Sequence, residues 1–362
     1  MTIKRKLLIT GVTALLATTV AVAEEVRIYN WSDYIDDNIL VEFTAETGIK
    51  VVYDVFDSNE LLETKLLAGS TGYDVVVPSH AFLARQISVG IFDKLDQGQL
   101  PNQKHMWKAI EERMVEFDPG NAYSVNYMWG TTGFGYVKEK VEALLPNAPT
   151  NSWAMVFDPT NAKKLAECGI FMLDAPTEVI PSALRYLGYN GGSQNVKELE
   201  AATELLSKIR PYVRKFHSSE YISALANGDI CVAIGWSGDI LQARDRAAEA
   251  GNGITVEYII PKEGAQMWFD QLAIPTDAPN KAAAHKFIDY MMRPEVIAKA
   301  SNYVYYANGN LDSQKLLEED VLTDTAIYPD EETVNNLFVV GTYSPKFQRQ
   351  VNRAWTKIKT GQ

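Results

Sequence analysis

The chain has 362 residues, 46% of them hydrophobic and 22% charged, the balance of a soluble globular protein with room for two ordinary domains. Its formal net charge of −12 argues against nucleic acid and anionic lipid as partners and is compatible with a cationic ligand. Two cysteines, Cys168 and Cys231, suggest one bridge in an exported chain, with two free buried thiols as the alternative.

The first 23 residues read as a secretory signal. Lys4, Arg5 and Lys6 are the positive region, 7–20 the apolar region, and Ala21-Val22-Ala23 a small-residue cleavage site. The apolar run is too short for a typical spanning helix, and no cysteine lies near the cleavage site, which argues against a lipid anchor. A mature chain from Glu24 loses three positive charges and no negative one, so −12 becomes −15.

Residues 26–30, VRIYN, predict a strand, followed by Trp31-Ser32-Asp33-Tyr34 and a helical pattern ending at Gly48. Residues 49–56 predict the next strand, with Ser58 capping the following helix and Gly69 ending it. A third strand, 73–77, runs into Pro78-Ser79, and a helix follows over 81–89. This alternation predicts an α/β fold with a mostly parallel sheet covered on both faces. Residues 123–136 are extended and interrupted by glycines at 130, 133 and 135, a pattern that can mark a crossing between lobes. A phosphate loop would need GxxxxGK[ST], which is absent.

A second α/β series starts past Trp153. Helix 161–167 precedes strand 170–173, which leads into Asp174-Ala175-Pro176-Thr177-Glu178 and helices over 179–187, 196–209 and 219–226. The stretch 229–239, DICVAIGWSGD, holds a short β-branched strand at 230–234 that reads as buried on both faces. Trp236 follows it, and Asp239 stands near the start of a helix reaching Ala250. Residues 254–260 predict a second crossing, and 267–274 a strand carrying Trp268 and Asp270. Two helices follow, with Pro294 starting the second; Tyr305-Tyr306 comes next, and a last helix covers 345–359.

In open α/β sheets, ligands bind outside the carboxyl ends of the strands. Predicted strand ends hold Trp31, Ser32, Asp33, Ser79, Glu178, Trp236 and Asp239; Trp268, Asp270 and Tyr306 join them. No Arg, Lys or His is in this set. A carboxylate or phosphate ligand would call for Arg or Lys. Ammonium groups call for carboxylates, because a cation buried unpaired is prohibitive. Aromatic faces add cation–π attraction of ~2 kcal/mol when desolvated and line a methylene chain. The set describes a site for a linear diamine or polyamine. Each residue also has a plainer reading: Trp236, Trp268 and Tyr306 as core, Asp33, Glu178 and Asp239 as helix caps, Ser79 as a turn residue, His80 as incidental. Enzymatic readings are thin. Gly235-Trp236-Ser237-Gly238-Asp239 begins like GxSxG but ends in Asp. The histidines at 80, 105, 217 and 285 lack metal-ligand spacing, so no metal or cofactor is expected. Asp33 with Asp270 as a glycosidase pair is the remaining alternative.

The motifs NWSDY at 30–34, YDVFDSNELLETKLLAGSTGYDVVVPS at 53–79, LDAPTEV at 173–179, GDICVAIGWSGD at 228–239 and YYAN at 305–308 are long and specific. On them the mature chain resembles the periplasmic polyamine-binding proteins of ABC transporters, nearest the putrescine-binding type. The resemblance implies the type II two-lobed fold, with crossing strands at the hinge. One lobe would comprise 24–128 and 257–306, the other 129–256 and 307–362, closing on ligand like a trap. It places Trp31, Ser32, Asp33 and Tyr34 in the cleft and Ser79 on an amine. Glu178 and Asp239 would bind ammonium ends from the second lobe, Asp270 would grip the opposite amine, and Trp236, Trp268 and Tyr306 would wall the methylenes. Cys168 and Cys231 match the family's bridged pair. The implied protein is a periplasmic monomer that is not an enzyme, takes no cofactor and delivers putrescine to the membrane permease subunits of an ABC importer. Putrescine-type members carry Phe and spermidine-type members Trp where Trp268 stands, so spermidine, cadaverine and agmatine are also candidates. The alternatives are another cationic solute or an amino acid on the same fold, or an exported hydrolase.

Overall fold

The computed structural model describes residues 24–361; the expected signal segment and its cleavage site lie outside the described residues. Ten strands form one sheet: β1 Glu25–Trp31, β2 Lys50–Phe56, β3 Val75–Val76, β4 Ser124–Val137, β5 Ile170–Met172, β6 Val213–Phe216, β7 Val232–Trp236, β8 Val256–Ile259, β9 Gln266–Ala273 and β10 Ala307–Asn308. The helices that matter for the site are α1 Asp37–Thr47, α2 Asn59–Ala68, α3 His80–Ser88, α4 Pro176–Tyr186, α5 Ser237–Ala250 and α6 Pro345–Thr360. Small polar residues start several of them: Asp36 accepts the N–H of Asn38, Ser58 that of Leu61 and Ser344 that of Phe347.

The two ends of the sheet are parallel, in the orders β2-β1-β3 and β7-β5-β6. The middle is antiparallel. β4 lies between β9 and β7 and also pairs with β8 and β10. The sheet is therefore mixed, where the sequence predicts a mostly parallel one. The difference lies in β4, whose 14 residues are all buried and long enough to serve both ends. A strand returning alongside it runs against it without needing a helical crossover. β6 is a further addition: Val213-Arg214-Lys215-Phe216 is too short and too charged to stand out as a strand in sequence.

Two hydrophobic cores flank this middle. The first gathers Val26, Ile28, Phe43, Phe56, Val76, Trp129, Phe269 and Phe287. The second gathers Phe134, Trp153, Ile170, Ile234, Ile240, Phe347 and Trp355. β4 passes from one to the other between Trp129 and Phe134. Gly130 sits at that passage, and a Cβ there would stand 2.8 Å from the Trp268 ring. The chain makes its last passage between the cores after residue 327. Tyr306, Ala307, Val321 and Ile327 remain in the first core, and Val340 is the next residue in the second. The cause is β10, which pairs Ala307 with Trp129 and Asn308 with Met128, on the first-core half of β4.

β5 and β7 are neighbours, and their approaches bring Cys168 and Cys231, 63 positions apart in sequence, into a disulfide with Cα atoms 5.4 Å apart. Closing a loop of that length constrains the unfolded chain by about 4 kcal/mol in the chain-entropy model. Reduction is expected to lower the melting temperature by several degrees, checked by thermal unfolding with and without a phosphine reductant; an unchanged midpoint would show that the bridge does not carry stability. Among the described residues no helix is long and apolar enough to cross a membrane.

Candidate functional site

The carboxyl ends of β1 and β7 deliver Trp31 and Trp236 to one point, where the rings meet edge to face with centroids 5.5 Å apart. The Trp31 indole N–H donates to the Val77 carbonyl at 2.9 Å, which fixes the ring against β3. Trp268 and Asp270 alternate with Phe269 on β9 and therefore share one face of the sheet. Tyr306 closes the group, edge-on to Trp268 at 5.4 Å and to Tyr34 at 5.1 Å. Its ring lies against the start of α5, where a Cβ on Gly238 would stand 2.5 Å away. Glycine at that position lets ring and helix approach.

Between these walls lies a small cavity. Asp239, in the first turn of α5, does not cap its helix. Its Oδ2 accepts the Tyr221 hydroxyl and its Oδ1 the Tyr306 hydroxyl, both at 2.6 Å. Asp270 is held in the same way, with Oδ1 accepting from Ser79 at 2.5 Å and Oδ2 from Tyr34 at 2.9 Å. Ser79 occupies the N-cap position of α3 without capping it, and its hydroxyl accepts from Asn59 Nδ2 at 2.9 Å. Glu178, in the first turn of α4, accepts from Thr132 Oγ1 at 2.6 Å and Gln266 Nε2 at 3.3 Å. The cap readings of Asp239 and Glu178 and the turn reading of Ser79 thus give way to side chains held at a cavity.

Burial dominates the electrostatics. Loss of water pushes the carboxyls of Asp239 and Asp270 up to about 7 and that of Glu178 up to about 8, against partial relief from their hydroxyl donors. The negative charges also raise one another, Asp239 acting on Asp270 and Asp270 on Glu178. No lysine or arginine is among the lining residues. Three acids are thus gathered out of water without a cation lining the cavity beside them, an arrangement that opposes its own ionisation and is relieved by a positive guest.

Of the residues singled out in sequence, Trp31, Ser32, Tyr34, Ser79, Glu178, Trp236, Asp239, Trp268, Asp270 and Tyr306 all line this cavity. Asp33 does not. Its backbone turns through φ 52°, and its carboxylate faces Arg246 Nη2 at 2.9 Å, with both side chains about two-fifths exposed. Asp57, Asn59 and Ser218 line the cavity and escaped the sequence reading. Asp57 directly follows β2 and Asn59 opens the helix after it, so the strand-end rule applied to β2 leads to both. Ser218 and Tyr221 carry no such signal. Among the described residues no group of three or more His, Cys, Asp or Glu side chains is placed to hold a metal ion.

A cavity between two α/β cores and lined from both is the architecture of a two-lobed, type II solute-binding protein. The model of the bacterial extracellular solute-binding proteins matches residues 38–329. The chain is 54% identical to the putrescine-binding periplasmic protein SpuD of Pseudomonas aeruginosa over 92% of each chain. It is 49% identical to the putrescine-binding periplasmic protein PotF of Escherichia coli, over 96% of this chain and 94% of that one. The solved spermidine/putrescine ABC transporter substrate-binding protein PotD of Streptococcus pneumoniae superposes with a TM-score of 0.75 at 30% identity, covering 93% of this chain and 99% of that one. The chain belongs to the bacterial extracellular solute-binding proteins, and it is a periplasmic member of that family.

Proposed function

We propose that the protein captures putrescine between its two lobes and hands it to the permease subunits of an ABC importer, acting as a monomer without lipid anchor or cofactor. The observation that carries this reading is the pair of buried carboxylates, Asp239 and Asp270, each clasped by two hydroxyls at a cavity lined by Trp31, Trp236, Trp268 and Tyr306. Two carboxylates balance two ammoniums, and the aromatic faces cover the methylenes between them. The two cores act as the lobes, one from each side of the β4 passage, and Asp33–Arg246 is an ion pair between them at the rim. The relatives are named as binding proteins for putrescine, and the chain performs no chemistry on its ligand. Calorimetric titration with putrescine, cadaverine, agmatine and spermidine tests the reading. Heat of binding with the diamine recovered unchanged supports it; no binding to any of the four overturns it.

Trp236 has a separable role. Its ring meets Trp31 edge-on across the cavity, so Trp236→Ala opens space on the methylene side and leaves the carboxylates in place. The loss of apolar and cation–π contact is expected to cost about 2–4 kcal/mol for putrescine. Cadaverine, one methylene longer, should lose less. The same titrations on the variant check this, and an equal loss for both diamines would show that the ring does not measure chain length.

A further inference from the structure

The edge of β9 that faces away from β4 is shared by two other pieces of chain. Its N–H groups alternate outward at Gln271, Phe269 and Met267. Gln271 donates to the Pro78 carbonyl at 3.0 Å, on the segment that leads from β3 into α3. Met267 donates to the Phe338 carbonyl at 2.8 Å, on the segment that returns from the first core to the second. Neither backbone reaches the N–H between them. Phe269 donates instead to His80 Nδ1 at 3.3 Å, and His80 Nε2 lies 3.1 Å from the Val340 carbonyl. One imidazole therefore fills the gap in the strand edge and ties it to the returning segment.

The partners dictate the proton. A backbone N–H only donates, so Nδ1 must accept; a carbonyl only accepts, so Nε2 must carry the hydrogen. The single neutral tautomer with its hydrogen on Nε2 satisfies both. The ring is 2% exposed and packs edge-on against Phe117 at 4.5 Å. Burial pushes its pKa down to about 4, so it stays in that neutral form at the working pH of the periplasm. His80 also stands between two parts of the site in sequence and space: Ser79 before it donates to Asp270, and Phe269 directly precedes Asp270 on β9.

We propose that His80 is a positioning residue that couples lobe closure to the Asp270 seat, by holding β9 next to Asp270 with one nitrogen and the returning segment of the other lobe with the other. This rests on the diamine-binding reading above. A residue with this role governs how long a closed lobe pair retains its ligand. A purely structural core histidine would govern only thermal stability.

The test is stopped-flow kinetics of putrescine with the full mature chain and three variants, alongside thermal unfolding of each without ligand. His80→Ala removes both contacts. His80→Asn keeps an acceptor near the Nδ1 position, and His80→Gln keeps a donor near the Nε2 position. The dissociation rate is expected to rise about tenfold or more in His80→Ala with the association rate within about threefold of wild type. His80→Asn and His80→Gln should each recover part of that rise. A rise of less than threefold in His80→Ala overturns the proposal, whatever its melting temperature. So do Asn and Gln variants that both dissociate as fast as the Ala variant. If His80→Ala does not fold, the Asn and Gln variants decide alone, and wild-type dissociation rates in both overturn it. Failure of the wild-type chain to bind putrescine overturns the diamine reading and this inference with it, and is distinguished by the wild-type trace.

Discussion

Asp239→Asn is expected to weaken putrescine binding by roughly 200- to 5,000-fold while leaving the ligand-free protein folded. The substitution keeps the size of the side chain and removes its charge. Losing one partner of a buried charge pair typically costs ~3–5 kcal/mol, which is that range of affinity. The empty protein should respond quite differently. Asp239 accepts two tyrosine hydroxyls, and an amide offers one oxygen, so either Tyr221 or Tyr306 loses its acceptor at a cost of about 1 kcal/mol. Against that, the variant no longer holds a carboxylate in a place where burial raises its pKa to about 7. The two effects oppose each other, and the ligand-free melting temperature should stay within a few degrees of wild type. Calorimetric titration beside thermal unfolding reads both numbers. If putrescine binds within about threefold of wild type, ~0.7 kcal/mol, Asp239 is a clasp for two tyrosines and meets no ammonium.

Much of this site was legible in sequence, for a reason that can be named. The strands that deliver Trp31 and Trp236 are short and apolar, so their ends stand out, and ligands in open α/β sheets gather at those ends. The absence of Arg, Lys and His from the set then selects a cationic guest. Where the reading fell short, the deciding contacts join residues far apart in sequence. Asp33 sits among cavity residues in NWSDY, yet a left-handed turn sends its carboxylate to Arg246, and no local pattern announces that partner. Tyr221 clasps Asp239 from a helix whose sequence marks only a buried face. His80 reads as incidental because both of its partners are main-chain atoms 189 and 260 residues away. The position of the last passage between cores has no local mark, because β10, which holds the chain on the first-core half of β4, is two residues long and shows no periodicity.

Putrescine affinity is expected to fall by about 10³- to 10⁴-fold between pH 8 and pH 5. In the empty site, burial holds Asp239 and Asp270 near 7, so below that pH both carboxyls carry protons. The diamine stays doubly charged throughout, since amines of this kind titrate near ~10. Binding it requires both carboxylates ionised, so each group contributes up to about one decade of affinity per pH unit below 7. The surrounding charges modulate this without reversing it. Asp33 raises Asp239 and Arg246 lowers it, while Asp239 raises Asp270. His80, held near 4, stays neutral across the window. Stability should depend on pH differently with and without ligand. These carboxyls titrate near ~4 in the unfolded chain, so between pH 4 and 8 the ligand-free fold holds protons that the unfolded chain has released. Their contribution to stability is complete below pH 4 and is lost as pH rises through 7. With saturating putrescine the carboxylates are ionised in the fold as they are in the unfolded chain, so this dependence disappears: the stability of the complex should be nearly flat from pH 5 to 8. Thermal unfolding from pH 5 to 8 with and without putrescine, together with titrations in buffers of different ionisation enthalpy, tests both statements. About two protons should be released per diamine bound at pH 5 and almost none at pH 8. An affinity constant within threefold over the whole range would mean that Asp239 and Asp270 are already ionised in the empty cavity, with their charge met by something other than the ligand.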